Sequence, residues 1–189
     1  DVAGKLTYMD AAGKELWHKY FKDGERILGV GHADGAKISD DGNTITAMTS
    51  ASDVGPGKEQ LHVFDKSGNE IFTYPKDVEI STAPRTSEHE ISPNGRYLSY
   101  RIEKRAYLVE GTAAKVAAPG NEETTKAAIL EKLKQTQKTV FLDLKEMTTW
   151  ETDAYLVNGV SNDGVADVSN PWTGGGNKQL DIKPNLKRP

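Results

Sequence analysis

Apolar and polar residues alternate along most of this chain, and the alternation is broken by turns rich in Gly, Asn and Asp. That pattern predicts short antiparallel strands joined by tight hairpins. The clearest instance is Leu61 to Phe72 (LHVFDKSGNEIF). Apolar Leu61 and Val63 lead to Phe64-Asp65, a Lys66-Ser67-Gly68-Asn69 turn, and a second strand through Ile71 and Phe72. Leu6 to Trp17 (LTYMDAAGKELW) repeats it closely, and Thr139 to Trp150 (TVFLDLKEMTTW) repeats it loosely. Asp10, Asp65 and Asp143 fall in register, each followed at one fixed spacing by an aromatic: Trp17, Phe72 and Trp150. Gly13 and Gly68 supply the positive φ that such turns often need.

A second unit alternates with the first. Ala36 to Ser50 (AKISDDGNTITAMTS), Glu90 to Tyr100 (EISPNGRYLSY) and Gly159 to Ser169 (GVSNDGVADVS) each place Ser before a turn and Gly within it. Ser39, Ser92 and Ser161 align, as do Gly42, Gly95 and Gly164. Asp-Gly and Asn-Gly between β-formers are strong hairpin signals.

Between the second and third copies lies an insertion. Gly111 to Gly120 reads as a flexible link, and Asn121 to Lys138 changes to a helical period. Asn121 suits an N-cap, Glu122 and Glu123 suit a helix N-terminus, and Ile129, Leu130 and Leu133 form a narrow apolar stripe. That stripe packs on the sheet rim or docks a partner. Lys178 to Ile182 resembles the strand Glu59 to Val63 and begins a fourth hairpin, which Pro184 and Pro189 stop. The expectation is one β-repeat domain over residues 1–189, with an inserted linker and helix at 111–138 and a mobile tail at 183–189.

The two repeated units, leading to Phe64-Asp65 and Leu142-Asp143, resemble β-propeller blades of the WD-repeat and quinoprotein type. Gly31-His32 resembles the Gly-His that opens a WD blade, although no Trp-Asp pair follows. The likeness covers roughly residues 5 to 183 outside the helix and implies a fold: all-β with one inserted helix, in propeller-like repeats of antiparallel four-stranded sheets. Strand counting gives about three blades, below the usual minimum of about four for a closed ring. A larger propeller, completion by neighbouring subunits and an open stack of sheets all remain open at this point.

Inner strands of a propeller line its channel, which places His32, Asp34, Lys37, Glu88, Glu90 and Asn158 at the mouth. Glu88-His89-Glu90 invites a metal reading, but adjacent strand residues point to opposite faces, so His89 cannot join its neighbours. The Asp40-Asp41-Gly42-Asn43 and Asn162 to Asp167 stretches lack the ligand order of a calcium loop. The recurring Ser residues belong to the fold, no Gly-x-Ser-x-Gly elbow is present, and Gly174-Gly175-Gly176 is not followed by the Lys-Ser/Thr of a phosphate loop. No catalytic, cofactor or metal residues are therefore assigned.

Composition trims the remaining classes. The chain is 36% hydrophobic with a net charge of −4, which is globular and mildly acidic, unlike a nucleic-acid surface. No apolar run approaches the roughly 18 residues of a membrane-spanning helix. The absence of cysteine removes disulfides and thiolate chemistry. The chain begins at Asp1, as a processed mature form or an excised domain would. The functional expectation is a non-catalytic structural or protein-binding subunit, extracellular or at the cell surface, that self-assembles into homo-oligomers or filaments through edge strands. The alternative is a fragment of a larger quinoprotein-like enzyme or ligand-binding propeller.

Overall fold

A computed structural model describes residues 4–21, 26–27, 35–50, 59–74, 85–103, 137–170 and 176–188. Among the described residues, fourteen strands are arranged in four antiparallel sheets. The first sheet is the hairpin β1 (Lys5–Met9) and β2 (Glu15–Tyr20). The second joins β4 (Ala36–Ile38), β5 (Thr44–Ser50), β6 (Glu59–Asp65) and β7 (Glu70–Tyr74), with the short β3 (Arg26–Ile27) also against β5. The third runs in order through β8 (Arg85–Ile91), β9 (Tyr97–Glu103), β10 (Gln137–Asp143) and β11 (Thr148–Thr152). The fourth holds β12 (Leu156–Val160), β13 (Val165–Ser169) and β14 (Lys178–Asp181). Among the described residues no strand pairing joins the first sheet to the last.

The sheets stack face to face, and each gap between them is filled by one apolar cluster. Leu6, Phe21, Ile45, Ala47 and Phe64 fill the first gap. Met48, Leu61, Val63, Leu98, Tyr100, Val140 and Leu142 belong to the second. Tyr97, Phe141, Val160, Ala166, Val168 and Ile182 fill the third. The two middle sheets therefore bury both faces, so Leu61, His62, Val63 and Phe64 are all buried in succession. Burial on both faces explains why the alternation is clean at β1 and blurred at β6.

The hairpin register read from the sequence is the register of the fold. Tyr8 faces Trp17, Val63 faces Phe72 and Phe141 faces Trp150 as Cα partners. The first two hairpins turn through Gly13 (φ 80) and Gly68 (φ 84), each with a bulge beside the turn. The third has no glycine. Its turn is one residue longer, no bulge is needed, and Met147 takes the left-handed φ of 51.

Each hairpin Asp caps its own turn by accepting from the backbone N–H two residues on. Asp10 bonds Ala12 at 2.9 Å, Asp65 bonds Ser67 at 2.8 Å and Asp143 bonds Lys145 at 3.0 Å. A fourth copy exists: Asp181 bonds Lys183 at 3.1 Å. Asp181 also faces Val165 as Asp65 faces Thr44 and Asp143 faces Tyr97. The sequence comparison that set Lys178 to Ile182 beside Glu59 to Val63 thus places Asp181 at the wrong position in the repeat.

Two further expectations are corrected. Gln137 and Lys138 are not the end of a helix. They open β10, opposite Glu103 and Ile102, because the ladder begun by β-branched Thr139-Val140 continues backwards along β9. The rest of the expected helix, with Ile129, Leu130 and Leu133, and the link at 111–120 lie outside the described residues. The other correction is the tail, expected to be mobile from residue 183. It makes a 3-10 turn at Lys183–Asn185, the only helical segment among the described residues, and then pairs Lys187 with Thr149 through two backbone hydrogen bonds. Fully buried Ile182 and partly buried Leu186 hold it to the third gap, and that apolar anchorage overrides the basic composition.

Asp143 is the buried member of the Asp series, with its side chain 4% exposed and bonded to Arg96 Nε and Nη2 at 2.7–3.1 Å. Burial pushes its carboxyl up, but the Arg96 guanidinium and the N–H groups of Glu146 and Lys145 outweigh burial and hold the pKa below the usual range. A depressed folded pKa stabilises the fold above the unfolded value of about 3.9 and loses that contribution as pH falls through the folded one. Asp143→Asn should cost about 1–3 kcal/mol at neutral pH. Its deficit should shrink towards pH ~3, about one unit below the ordinary aspartate value. Urea unfolding of both proteins at the two pH values checks this, and an equal deficit at each would refute the linkage.

Candidate functional site

In the second, third and fourth sheets β4, β8 and β12 each lead into a Ser-turn, and the three turns share one hydrogen-bonding scheme. Ser39 Oγ accepts from Thr44 N and donates to Asp41, Ser92 Oγ accepts from Tyr97 N and donates to Asn94, and Ser161 Oγ accepts from Val165 N and donates to Asp163. Gly42, Gly95 and Gly164 complete the turns at φ 69, 69 and 74. The Ser39 hydroxyl, followed by the N–H and side chain of Asn43, holds Asp41 below the usual carboxylate range. These hydroxyls are engaged in closing the turns.

The turns also fasten one sheet to the next. Tyr8 Oη donates to Gly42 O at 3.0 Å, Asp40 N donates to Pro93 O at 2.7 Å, Thr44 Oγ1 donates to Gly95 O at 3.2 Å, and Asn94 N donates to Asn162 Oδ1 at 2.7 Å.

Of the residues expected at the channel mouth, the structure brings two together. Lys37 Nζ on β4 meets Glu90 Oε1 on β8 at 2.8 Å and also donates to His89 O at 2.6 Å. His89 points the other way from Glu90, opposite Tyr100 in the ladder while Glu90 is opposite Ser99. It is 2% exposed, and its Nε2 lies 2.7 Å from Thr46 Oγ1 of the second sheet. Asn158 stands apart: it is exposed on β12 and skipped by the ladder, which pairs Val157 with Val168 and Gly159 with Asp167. Glu88 falls within β8, while His32 and Asp34 lie outside the described residues. Among the described residues no three potential ligands converge as a metal site.

A second polar chain was not anticipated from the sequence. Thr49 Oγ1 lies 3.1 Å from His62 Nε2, His62 Nδ1 lies 2.6 Å from Glu70 Oε1, and Thr73 donates to the same carboxylate oxygen. Burial raises the Glu70 carboxyl, but the Thr73 and His62 hydrogen bonds, then the charges of His62 and Lys19, bring it below its ordinary value. The order hydroxyl, imidazole, carboxylate is that of a nucleophile activated by a base. Its placement is not, because Thr49 is 1% exposed and His62 is buried against the Phe21 and Phe64 rings. The chain ties β5, β6 and β7 together. Its sequence signal was a His and a Glu on neighbouring strands, visible only once the register is known.

A small solvent-open cleft lies between the third sheet and β12. Glu90, Ser99, Arg101 and Thr139 line one wall, Leu156 and Val157 the other. The chain matches no protein-family model and no curated protein.

Proposed function

We propose that this chain is a non-catalytic protein-binding and structural module of propeller-like repeats, and that it assembles with further copies of itself through its two end sheets. The observation that carries this reading is the strand count. The middle sheets hold at least four strands, whereas the first holds two and the last three among the described residues. A β1 edge and a β14 edge without a described partner present backbone donors and acceptors to any incoming strand.

Surface chemistry supports the same reading. The face of the first sheet turned away from the second exposes Met9, Leu16 and Tyr20, each 52% or more, beside Lys5 and His18. The outer face of the last sheet carries Asp167, Gln179 and Asp181. The first face is apolar, with Lys5 and His18 both paired to Glu15, and the last is acidic; two unlike faces favour head-to-tail contact, which grows into filaments unless the rotation closes a ring.

The test is light-scattering mass across a concentration series, with Leu16→Lys and Met9→Lys as surface variants. Mass should rise with concentration in the native chain and stay at the monomer in the variants, with melting temperatures unchanged. A native chain that is monomeric throughout refutes self-assembly. Truncation before β14 is unsuitable, since it removes Ile182 from the core.

A further inference from the structure

We propose that Asn158-Gly159 is a site of spontaneous deamidation in the folded protein, where asparagine becomes aspartate or isoaspartate on an edge strand of the last sheet. The chain holds two Asn-Gly pairs, Asn94-Gly95 and Asn158-Gly159. In such a pair the glycine nitrogen can reach the asparagine side chain and close a small ring, because no Cβ stands in the way. The fold treats the two pairs in opposite ways. Asn94 closes the second Ser-turn. Its Oδ1 accepts from Ser92 Oγ at 2.9 Å and from Arg96 N at 3.1 Å, and its Nδ2 donates to Asn162 O at 3.4 Å. The Gly95 nitrogen, which would have to attack, donates its proton to Ser92 O at 2.8 Å, and Gly95 is buried. Ring closure there means undoing the turn.

Asn158 carries none of these restraints. The ladder pairs Val157 with Val168 and Gly159 with Asp167, so Asn158 is the extra residue of a bulge. It is exposed, and no side-chain hydrogen bond holds it among the described residues. Gly159 lies in the open: a Cβ built on it meets nothing within 4 Å. A residue outside the pairing pattern can swing its carboxamide over the following nitrogen with little disturbance to the ladder. Hydroxide removes the Gly159 amide proton, and the nitrogen attacks Asn158 Cγ. The side-chain nitrogen takes a proton from water and leaves as ammonia, giving a cyclic imide. Water then opens the ring at either carbonyl, to aspartate or to isoaspartate, whose main chain is longer by a methylene. Either product puts a carboxylate on β12, which pairs with β13 alone among the described residues. Charge on such an edge opposes the addition of a further strand.

The test is incubation of the intact chain in warm, mildly alkaline buffer, followed by proteolysis and mass spectrometry of both pairs. The mass gain of an amide-to-acid change should accumulate at Asn158 about tenfold or more faster than at Asn94, whose turn hydrogen bonds must break first. In urea the two pairs should convert at similar rates, since only the fold separates them. Gly159→Ala adds a Cβ into open space, so it should melt as the native chain does, yet slow the reaction at Asn158 about tenfold. Isoaspartate appearing beside aspartate, resolved by chromatography, supports the cyclic intermediate. Conversion at Asn158 no faster than at Asn94 in the folded chain overturns the proposal. So does an Asn158 that keeps its amide in buffer while losing it in urea. Equal rates in the native and Gly159→Ala chains would reject ring closure through the glycine nitrogen.

Discussion

Gly95→Ala should destabilise the protein by about 2–5 kcal/mol, more than the same change at any other turn glycine, combining left-handed strain with overpacking. Gly95 sits at φ 69 in the second Ser-turn, and its carbonyl accepts from Thr44 of the neighbouring sheet. An added Cβ would overlap Oγ1 and Cβ of Thr44 and approach Ser39 Oγ at 3.1 Å. Both belong to the turn before it, so one methyl group disturbs two turns and the seam between two sheets. Gly13 is the control: its φ of 80 imposes the same strain, but its Cβ meets nothing within 4 Å. Gly13→Ala should therefore show the left-handed cost alone, about 1–2 kcal/mol. Equal losses for the two variants in urea unfolding would mean that the turns do not interlock.

What the sequence makes legible follows from where the information lies. The hairpins and Ser-turns are written in local chemistry, an Asp or Ser oxygen capping a nearby N–H and a Gly supplying positive φ, so their register can be read directly. The fourth Asp escaped because Pro184 and the basic run after it resemble a chain end. Its cap on Lys183 was the signal to follow. Lys37 and Glu90 were placed at one mouth by analogy between inner strands, and they meet. Asn158 was placed there too, but Leu156 to Val160 reads as an unbroken strand. A bulge is a mismatch between two strands and is written in neither alone. The end-sheet faces were partly visible: Met9 and Leu16 flank the first turn as apolar residues, but only the stacking shows which face is left uncovered.

Neighbouring residues on β10 should report on opposite gaps between the sheets. Phe141 and Leu142 are 0% and 1% exposed, and strand alternation sends them to different sides. Phe141 packs with Val160, Ala166, Val168 and Ile182 of the fourth sheet and stacks on Trp150 at 5.3 Å between centroids. Leu142 packs with Met48, Leu61 and Val63 of the second. Phe141→Ala should cost about 3–5 kcal/mol and Leu142→Ala about 2–5 kcal/mol. Totals this close do not separate the two, but their locations do. In a stack of repeats each sheet depends on its immediate neighbours, so damage to one interface stays largely local. Amide hydrogen exchange should quicken in β12, β13 and β14 for Phe141→Ala while β5 and β6 stay protected. Leu142→Ala should show the reverse. Uniform loss of protection in both variants would mean that the four sheets unfold as one unit, and the description as separable stacked repeats would have to be abandoned.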